Sequence, residues 1–148
     1  MSSIEPGTLS NGECWERLRS STVGRIAYFD AHTGIEIFPV NYIVDHGTIV
    51  LRTAEGTKLT ALASGPTVAF EVDGGDASTR SGWAVVIVGT AESIGTHDQL
   101  MDAFDLEVTT WHGSSKPFFL RVVPNDVRGD RARSGEAPIT SPRKLHDS

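Results

Sequence analysis

The sequence predicts a mainly β protein: an antiparallel barrel or sandwich of six short strands with two or three helices. Segments rich in β-branched and aromatic residues recur along the chain and are separated by turn residues. The helical segments are too few to alternate with the strands, as a doubly wound parallel sheet would require. No glycine-rich dinucleotide motif and no phosphate-binding P-loop motif occurs in the sequence.

The composition is that of one folded domain. The chain has 148 residues, and 13 Lys and Arg against 19 Asp and Glu give it a net charge of −6. An acidic chain repels polyphosphate, which argues against a broad nucleic-acid surface. The longest apolar run, residues 84–88, is too short to cross a membrane, and residues 1–10 lack a signal-peptide pattern. We therefore expect a soluble cytoplasmic protein without a membrane partner.

The first element is predicted to be a helix. Residues 1–9 read as a flexible lead, and Ser10 and Glu13 have the spacing of a capping box. Leu9 and Cys14 stand where a hydrophobic staple would close the first turn. A helix of about three turns should follow and end near Ser20. Cys14 is the single cysteine, so an intramolecular disulfide is impossible.

Six strands are predicted after this helix. Turns at 32–34 and 45–47 connect the first three as hairpins, and Pro39, which cannot donate to a ladder, marks an edge or a bulge. Helical spacing predicts a short helix over 57–63 and a longer one over 96–106. Residues 128–148 read as a polar tail, which leaves 10–127 as the domain. The predicted strands cover residues 23–30, 35–45, 48–54, 67–73, 83–94 and 117–123.

One cluster of residues is typical of a phosphate site. Arg52 and Thr53 end the third strand, Gly56 permits a tight turn, and Lys58 opens the following helix. Free amides at a helix N-terminus, together with Arg and Lys, can hold one phosphate. The alternative is that Arg52 pairs with a cross-strand glutamate and Lys58 is a solvated helix charge. The spacing leaves both interpretations open.

Two other segments could contact a flat ring. In residues 39–42, Asn41 offers a donor and an acceptor on one amide, and Tyr42 offers a flat surface. Near the start of the fifth strand, Gly82 allows a close approach and Trp83 adds a large ring. The alternatives are a hydrogen-bonded asparagine in a bulged strand and a core tryptophan. The five histidines show no metal-ligand spacing, so no metal site is predicted.

The ordered set of these motifs resembles a known family. The set comprises Glu13-Cys14-Trp15, Val23-Gly24-Arg25-Ile26-Ala27, Pro39-Val40-Asn41-Tyr42, Arg52-Thr53 with Gly56 and Lys58, Phe70-Glu71-Val72-Asp73, Ser81-Gly82-Trp83 and Val88-Gly89-Thr90-Ala91. In this order they resemble the pyridoxamine 5′-phosphate oxidase-like, FMN-binding split-barrel superfamily, in its small actinobacterial-type branch. The resemblance runs from about residue 10 to residue 130.

The resemblance implies a six-stranded split barrel that acts as a homodimer, with two flavin sites at the subunit interface. In that arrangement Ser81 and Trp83 of the partner chain would close each site. The isoalloxazine ring would be lined by Pro39, Val40, Asn41 and Tyr42. The ribityl phosphate would be held by Arg52, Thr53 and Lys58.

The implied function is an FMN-dependent oxidoreductase that passes hydride or electrons to a small acceptor. No catalytic side chain is identified, because the redox chemistry would belong to the flavin. The polar tail lacks the substrate-binding segment of true pyridoxamine phosphate oxidases, so oxidation of vitamin B6 is not expected. Two alternatives stay open: a deazaflavin-dependent reductase using the same pocket, and a non-enzymatic carrier or sensor of flavin or tetrapyrrole.

Overall fold

The computed structural model describes residues 7–54, 59, 62, 64–95 and 117–133. The strands form one closed antiparallel barrel in the order β1-β2-β3-β6-β5-β4, which confirms the predicted mainly β architecture. The described residues contain no helix of the length and hydropathy needed to span a membrane. The elements are α1 (Asn11–Arg19), β1 (Val23–Asp30), β2 (Gly34–Asp45), β3 (Thr48–Ala54), β4 (Thr67–Asp76), β5 (Ser81–Gly95) and β6 (Pro117–Arg133).

Two predicted helices fall outside this description. The helix expected over 96–106 lies wholly among residues that the structure does not describe. Of the helix expected over 57–63, only Leu59 and Leu62 are described, and both are buried in the core. Gly56, Thr57 and Lys58 of the predicted phosphate cluster also lie outside the described residues.

Helix α1 begins as predicted. The Ser10 hydroxyl accepts from the Glu13 amide, and the Glu13 carboxylate accepts from the Ser10 amide, which completes a capping box. These bonds lower the pKa of Glu13. Cys14 and Leu18 form the buried face of the helix and join the core together with Leu9. Burial raises the pKa of the Cys14 thiol, so Cys14 acts as a small core side chain.

Hydrogen bonds and backbone angles within the two predicted hairpin turns explain why each turn forms. Asp30 accepts from the backbone amides of His32 and Thr33, which closes the β1–β2 turn. His46 and Gly47 have φ values of 48° and 75°. Two successive positive φ values define the type I′ turn, whose twist matches that of the flanking strands.

The interior of the barrel follows the alternation of each strand. Along β1, β2 and β4 the even-numbered residues face inward, and Ile26, Tyr42 and Phe70 are among the largest buried side chains. The Tyr42 ring packs edge-on against Phe70 with centroids 5.0 Å apart. Val50 and Phe119, on the opposite face of β3 and β6, are also fully buried.

Strand β6 is longer than predicted. The sequence placed its end at residue 123, but the strand continues through Pro124 to Arg133. The pairing with β5 shifts register here: Val88 pairs with Asp126 and Gly89 with Pro124, so Asn125 is an extra residue on β6. A bulge tolerates proline in a strand. A Cβ at Gly89 would lie 2.1 Å from the Val123 carbonyl oxygen, so this close pairing needs glycine.

The N-terminal segment covers the far part of this strand. Thr8 bridges Asp130, the Leu9 amide donates to the Gly129 carbonyl, and the Arg131 amide donates to the Gly7 carbonyl. Residues 7–9 of the predicted flexible lead are therefore bound to the barrel. Residues 128–133, predicted to belong to the tail, are strand. Residues 134–148 lie outside the described part of the chain.

Candidate functional site

The candidate site lies on the outer face of the barrel, where β2 meets β3. Asn41 on β2 pairs directly with Arg52 on β3, and it also pairs with Val23 on β1. Pro39, two residues earlier, is on the same face because side chains alternate along a strand. Within the described residues the Asn41 side chain forms no hydrogen bond. Its amide therefore remains available to a ligand.

The other two residues of this segment point the opposite way. Val40 and Tyr42 are buried in the core, and Tyr42 is 1% exposed. The Tyr42 hydroxyl donates to the Leu18 carbonyl of α1, and burial raises the Tyr42 pKa. The ring of Tyr42 therefore does not offer the flat surface that the sequence suggested. At the outer face only the backbone of these two residues can touch a ligand.

Within the described residues Pro39 has no strand partner on the β3 side of β2, which agrees with the predicted edge position. The described residues give β2 a partner on the β3 side only from Asn41 to Asp45, whereas residues 34–41 pair with β1. The Tyr42 amide donates toward β1, to the Thr22 carbonyl. Because backbone groups alternate in direction, the groups of Ile37 and Pro39 point to the β3 side. The missing N–H of Pro39 therefore costs no ladder hydrogen bond.

The strand end that was predicted to hold phosphate is only partly described. Arg52 is half-buried on the outer face, next to Asn41 and Phe119. Thr53 pairs with Phe118, and alternation places it on the other face of β3. Because Arg52 and Thr53 lie on opposite faces of β3, a single ligand group can contact both side chains only past the end of that strand.

An ion cluster that the sequence reasoning missed lies beside Pro39 on the same face. Arg25 pairs with Pro39 on one side and with Glu71 on the other. One guanidinium nitrogen of Arg25 is 3.5 Å from the Glu71 carboxylate and 3.2 Å from the Asp73 carboxylate. Glu71 and Asp73 are two residues apart on β4, so both carboxylates lie on the same face of the strand. This spacing is the feature of the sequence from which the cluster could have been predicted.

Glu71 is the most perturbed acid in this cluster. Burial and the neighbouring Asp73 carboxylate raise its pKa to about 7, and Arg25 opposes that rise without cancelling it. A carboxyl group that exchanges a proton near neutral pH is uncommon on a protein surface and is more frequent at functional sites.

Ser81 and Trp83 lie elsewhere on the barrel. They are on β5, separated from β2 by β1 and β4, so about 14 Å of sheet lies between the two strands. Trp83 packs against the core, and the Arg17 guanidinium lies 5.6 Å from its ring centroid. Gly74 lies beneath the Trp83 ring, where a Cβ would be 2.8 Å from the indole. The core-tryptophan alternative fits this position within one chain.

The comparisons with known proteins agree with this fold. The family model of pyridoxamine 5′-phosphate oxidase matches residues 10–131. The protein Rv3129 of Mycobacterium tuberculosis is 31% identical over 99 residues, which are 67% of this chain and 88% of Rv3129.

Two solved structures are also similar. The FAD binding protein from Mycobacterium smegmatis is 35% identical, with a TM-score of 0.67, covering 86% of this chain and 98% of its own. A FAD-binding protein from Mesorhizobium loti shares the fold, with a TM-score of 0.69, 22% identity, and coverage of 84% of this chain and 96% of its own.

Proposed function

This chain belongs to the pyridoxamine 5′-phosphate oxidase family, and from that premise we propose that it is a flavin-dependent oxidoreductase that binds FMN between two copies of the chain. The observation that carries the proposal is the outer face of β2. There the Asn41 amide, which forms no hydrogen bond within the described residues, stands opposite Arg52, next to the part of β2 that has no described partner on the β3 side. The 35% identical relative from Mycobacterium smegmatis is named as FAD binding, which supports a flavin as the cofactor class.

The donor set at this face fits a flavin. A flavin has a planar ring whose edge carries both hydrogen-bond donors and acceptors, and its side chain ends in an anionic phosphate. Pro39 supplies a carbonyl acceptor, Ile37 an N–H and a carbonyl, and Asn41 an amide with both functions. Arg52 supplies the positive charge for the anionic end. Lys58, from outside the described residues, would add a second positive charge.

A second chain is needed to bring all of the predicted cofactor-binding residues together. Two strands lie between β2 and the β5 residues Ser81 and Trp83, and Trp83 shares the inward-facing row of β5 with Val85 and Ile87. One barrel therefore does not bring these residues to the outer face at Asn41. In a homodimer, the β5 end of the partner would lie against this face and exclude water from the ring.

When bound, the flavin would supply hydride or electron transfer between a reduced donor and a small acceptor. The residues of this chain would bind and orient it. Asn41 and the backbone of Pro39 would fix the polar edge of the ring, and Arg52 would anchor the phosphate. Glu71 lies on the same face across Arg25 from Pro39, and it could hold or release a proton near neutral pH.

FAD is the second candidate cofactor, because two structural neighbours carry that ligand in their names. FAD and FMN share the ring and its phosphate-bearing side chain, and FAD carries an additional adenylate. A deazaflavin has a longer and more anionic tail, and Arg25, the cross-strand neighbour of Pro39, is already paired with two carboxylates. That pairing favours FMN or FAD over the deazaflavin.

The decisive experiment is a titration of the purified chain with FMN, FAD and a deazaflavin, followed by absorbance and by the melting temperature. We expect a flavin to bind, to raise the melting temperature, and to be reduced by a nicotinamide donor and reoxidised by a small acceptor. Binding without turnover would favour the carrier or sensor alternative. If none of the three cofactors binds, the proposal is wrong.

The phosphate contact has its own test. Arg52→Ala and Lys58→Ala should each weaken FMN binding by roughly 1.5–3 kcal/mol, the range for a hydrogen bond to a charged group. Riboflavin lacks the phosphate, so its affinity should change little in the same variants. Arg19→Ala, on an exposed part of α1, is the matched control for loss of one positive charge. Equal losses for FMN and riboflavin would show that these side chains do not touch the phosphate.

A further inference from the structure

Arg25, Glu71 and Asp73 form an ion cluster in which two acids share one cation, and we call it the Arg25 cluster. Both carboxylates lie against the same guanidinium nitrogen of Arg25, at 3.5 Å for Glu71 and 3.2 Å for Asp73. Two acids on one donor atom are close to each other, so their negative charges repel. When both are ionised, the cluster carries one uncompensated negative charge. A proton bound by either acid removes that charge.

The surroundings of Glu71 leave its protonation to the cluster itself. On β5 its cross-strand partner is Val86, which is uncharged. The next strand, β6, places Arg128 beside Val86, but Arg128 is paired with Asp126 at 3.2 Å. Among the described residues no charged side chain outside the cluster faces Glu71 directly. The half-buried position of Glu71 and the second carboxylate raise its pKa to about 7, so the cluster exchanges its proton near neutral pH.

The Arg25 cluster adjoins the candidate site. Arg25 is the direct cross-strand partner of Pro39 on β2 and of Glu71 on β4, and all three side chains lie on the outer face. The Cβ atoms of direct cross-strand partners are about 5 Å apart. Arg25 uses one guanidinium nitrogen for both carboxylates, and its other nitrogens have no partner within the described residues. A flavin ring on Pro39 would therefore lie within the electrostatic reach of the cluster.

We propose that the Arg25 cluster couples reduction of the flavin to the uptake of one proton by Glu71. The inference rests on the proposed function, because it needs a flavin beside Pro39. A hydride from a reduced nicotinamide brings two electrons and one proton to the ring, and the nicotinamide is oxidised. The ring gains one negative charge, which repels the uncompensated carboxylate of the cluster. Glu71 then takes a proton from water, so it acts on the ring through its charge and need not touch it.

The midpoint potential of the flavin-loaded chain, measured on both sides of neutral pH, tests the proposal. One proton taken up with two electrons changes the equilibrium tenfold per pH unit, which is about 30 mV. Around pH 7 the potential of the wild type should therefore fall more steeply with pH than that of Glu71→Gln, by up to about 30 mV per pH unit. Asp126→Asn is the matched control, because Asp126 is also a surface carboxylate paired with an arginine but lies on β6. Its slope should equal that of the wild type.

Asp73→Asn is a second, independent variant. It removes the carboxylate that repels Glu71, so the Glu71 pKa should fall and the steep part of the potential curve should move to lower pH. A purely structural role of the cluster would not move it in this way. Carbon-13 NMR of the side-chain carboxyl groups follows the same proton in the flavin-free chain. The Glu71 signal should titrate near pH 7 in the wild type and at lower pH in Asp73→Asn.

These measurements separate the inference from the proposed function. If flavin binds and the potential has the same pH slope in the wild type and in Glu71→Gln, the inference is wrong and the proposed function stands. A Glu71 signal that titrates near its ordinary value of 4.5 would also overturn the inference. If no flavin binds, the proposed function is wrong, and this inference is wrong with it. Circular dichroism checks that every variant keeps the fold.

Discussion

The two faces of strand β2 have opposite roles in the structure, although their residues alternate within one short segment of the sequence. Val40 and Tyr42 face inward, where Tyr42 packs on Phe70 and is hydrogen-bonded to helix α1. Pro39 and Asn41 face outward, beside the part of β2 that has no described partner on the β3 side, with Arg25 and Arg52 as cross-strand neighbours. One face therefore stabilises the fold and the other remains available for binding. Because side chains alternate along a strand, residues 39–42 form two pairs, one facing inward and the other facing outward.

The largest effect on stability should come from the inner face. Tyr42→Ala removes a ring that is fully buried and leaves the Leu18 carbonyl without its donor. We expect a loss of about 3–5 kcal/mol in the free energy of unfolding, measured by urea denaturation. Tyr42→Phe keeps the ring and should lose only about 1 kcal/mol, the value of the hydrogen bond. If Tyr42→Ala lowers the free energy of unfolding by less than about 1 kcal/mol, the structural role assigned to the inner face is wrong.

An intermediate effect should come from Glu71 on the outer face, and it should depend on pH. Its pKa is about 7 in the folded chain against an ordinary value of 4.5. Between these values the folded state binds more protons than the unfolded state, so the contribution of Glu71 to stability falls as pH rises toward 7. Because the side chain is partly solvated, we expect the loss to be about 1 kcal/mol.

Gln cannot ionise, so a comparison of Glu71→Gln with the wild type isolates the pH-dependent contribution of Glu71 to stability. The variant should be more stable than the wild type at pH 8 and nearly equal to it at pH 4.5, as measured by melting temperature across the pH range. Glu13, Asp45 and Asp76 have lowered pKa values and give the opposite pH trend, but they are present in both proteins and cancel in the difference. A difference that does not vary with pH would show that Glu71 ionises normally.

The smallest effect on stability should come from Asn41. Asn41→Ala removes a half-buried side chain that makes no hydrogen bond within the described residues, so stability should change by no more than about 0.5 kcal/mol. Flavin affinity should nevertheless fall, as measured by titration. Thr90→Ala, an exposed strand position on β5, is the matched control for both measurements. A large loss of stability with unchanged affinity would reverse the roles assigned to the two faces.

Local chemistry explains which parts of the fold could be predicted. The capping box of Ser10 and Glu13 and the turn at His46 and Gly47 depend on residues close together in the sequence, and both were confirmed. The predicted end of β6 at residue 123 was wrong, because the strand continues through Pro124. A bulge between β5 and β6 accommodates it, and that bulge depends on Gly89, which is far away in the sequence.

The candidate site was predictable in its residue types but not in its arrangement. The motif order pointed to the family, which the family comparison confirmed. Which members of residues 39–42 face outward depends on the register of β2, and a shift of one residue would exchange them. Arg25 and Glu71 were not singled out as a pair, since they are brought together only by the β1–β4 contact between strands distant in sequence.

The sequence by itself determined the helix start, the hairpin turns, the strand periodicity and the acidic character of the chain, because each follows from neighbouring residues or from composition. Only the tertiary structure decided that β1 closes on β4 and β3 on β6, and therefore which side chains share the outer face. That closure brings together residues far apart along the chain. Local propensity cannot specify it, since pairing and register are set by the burial of one face of every strand at once.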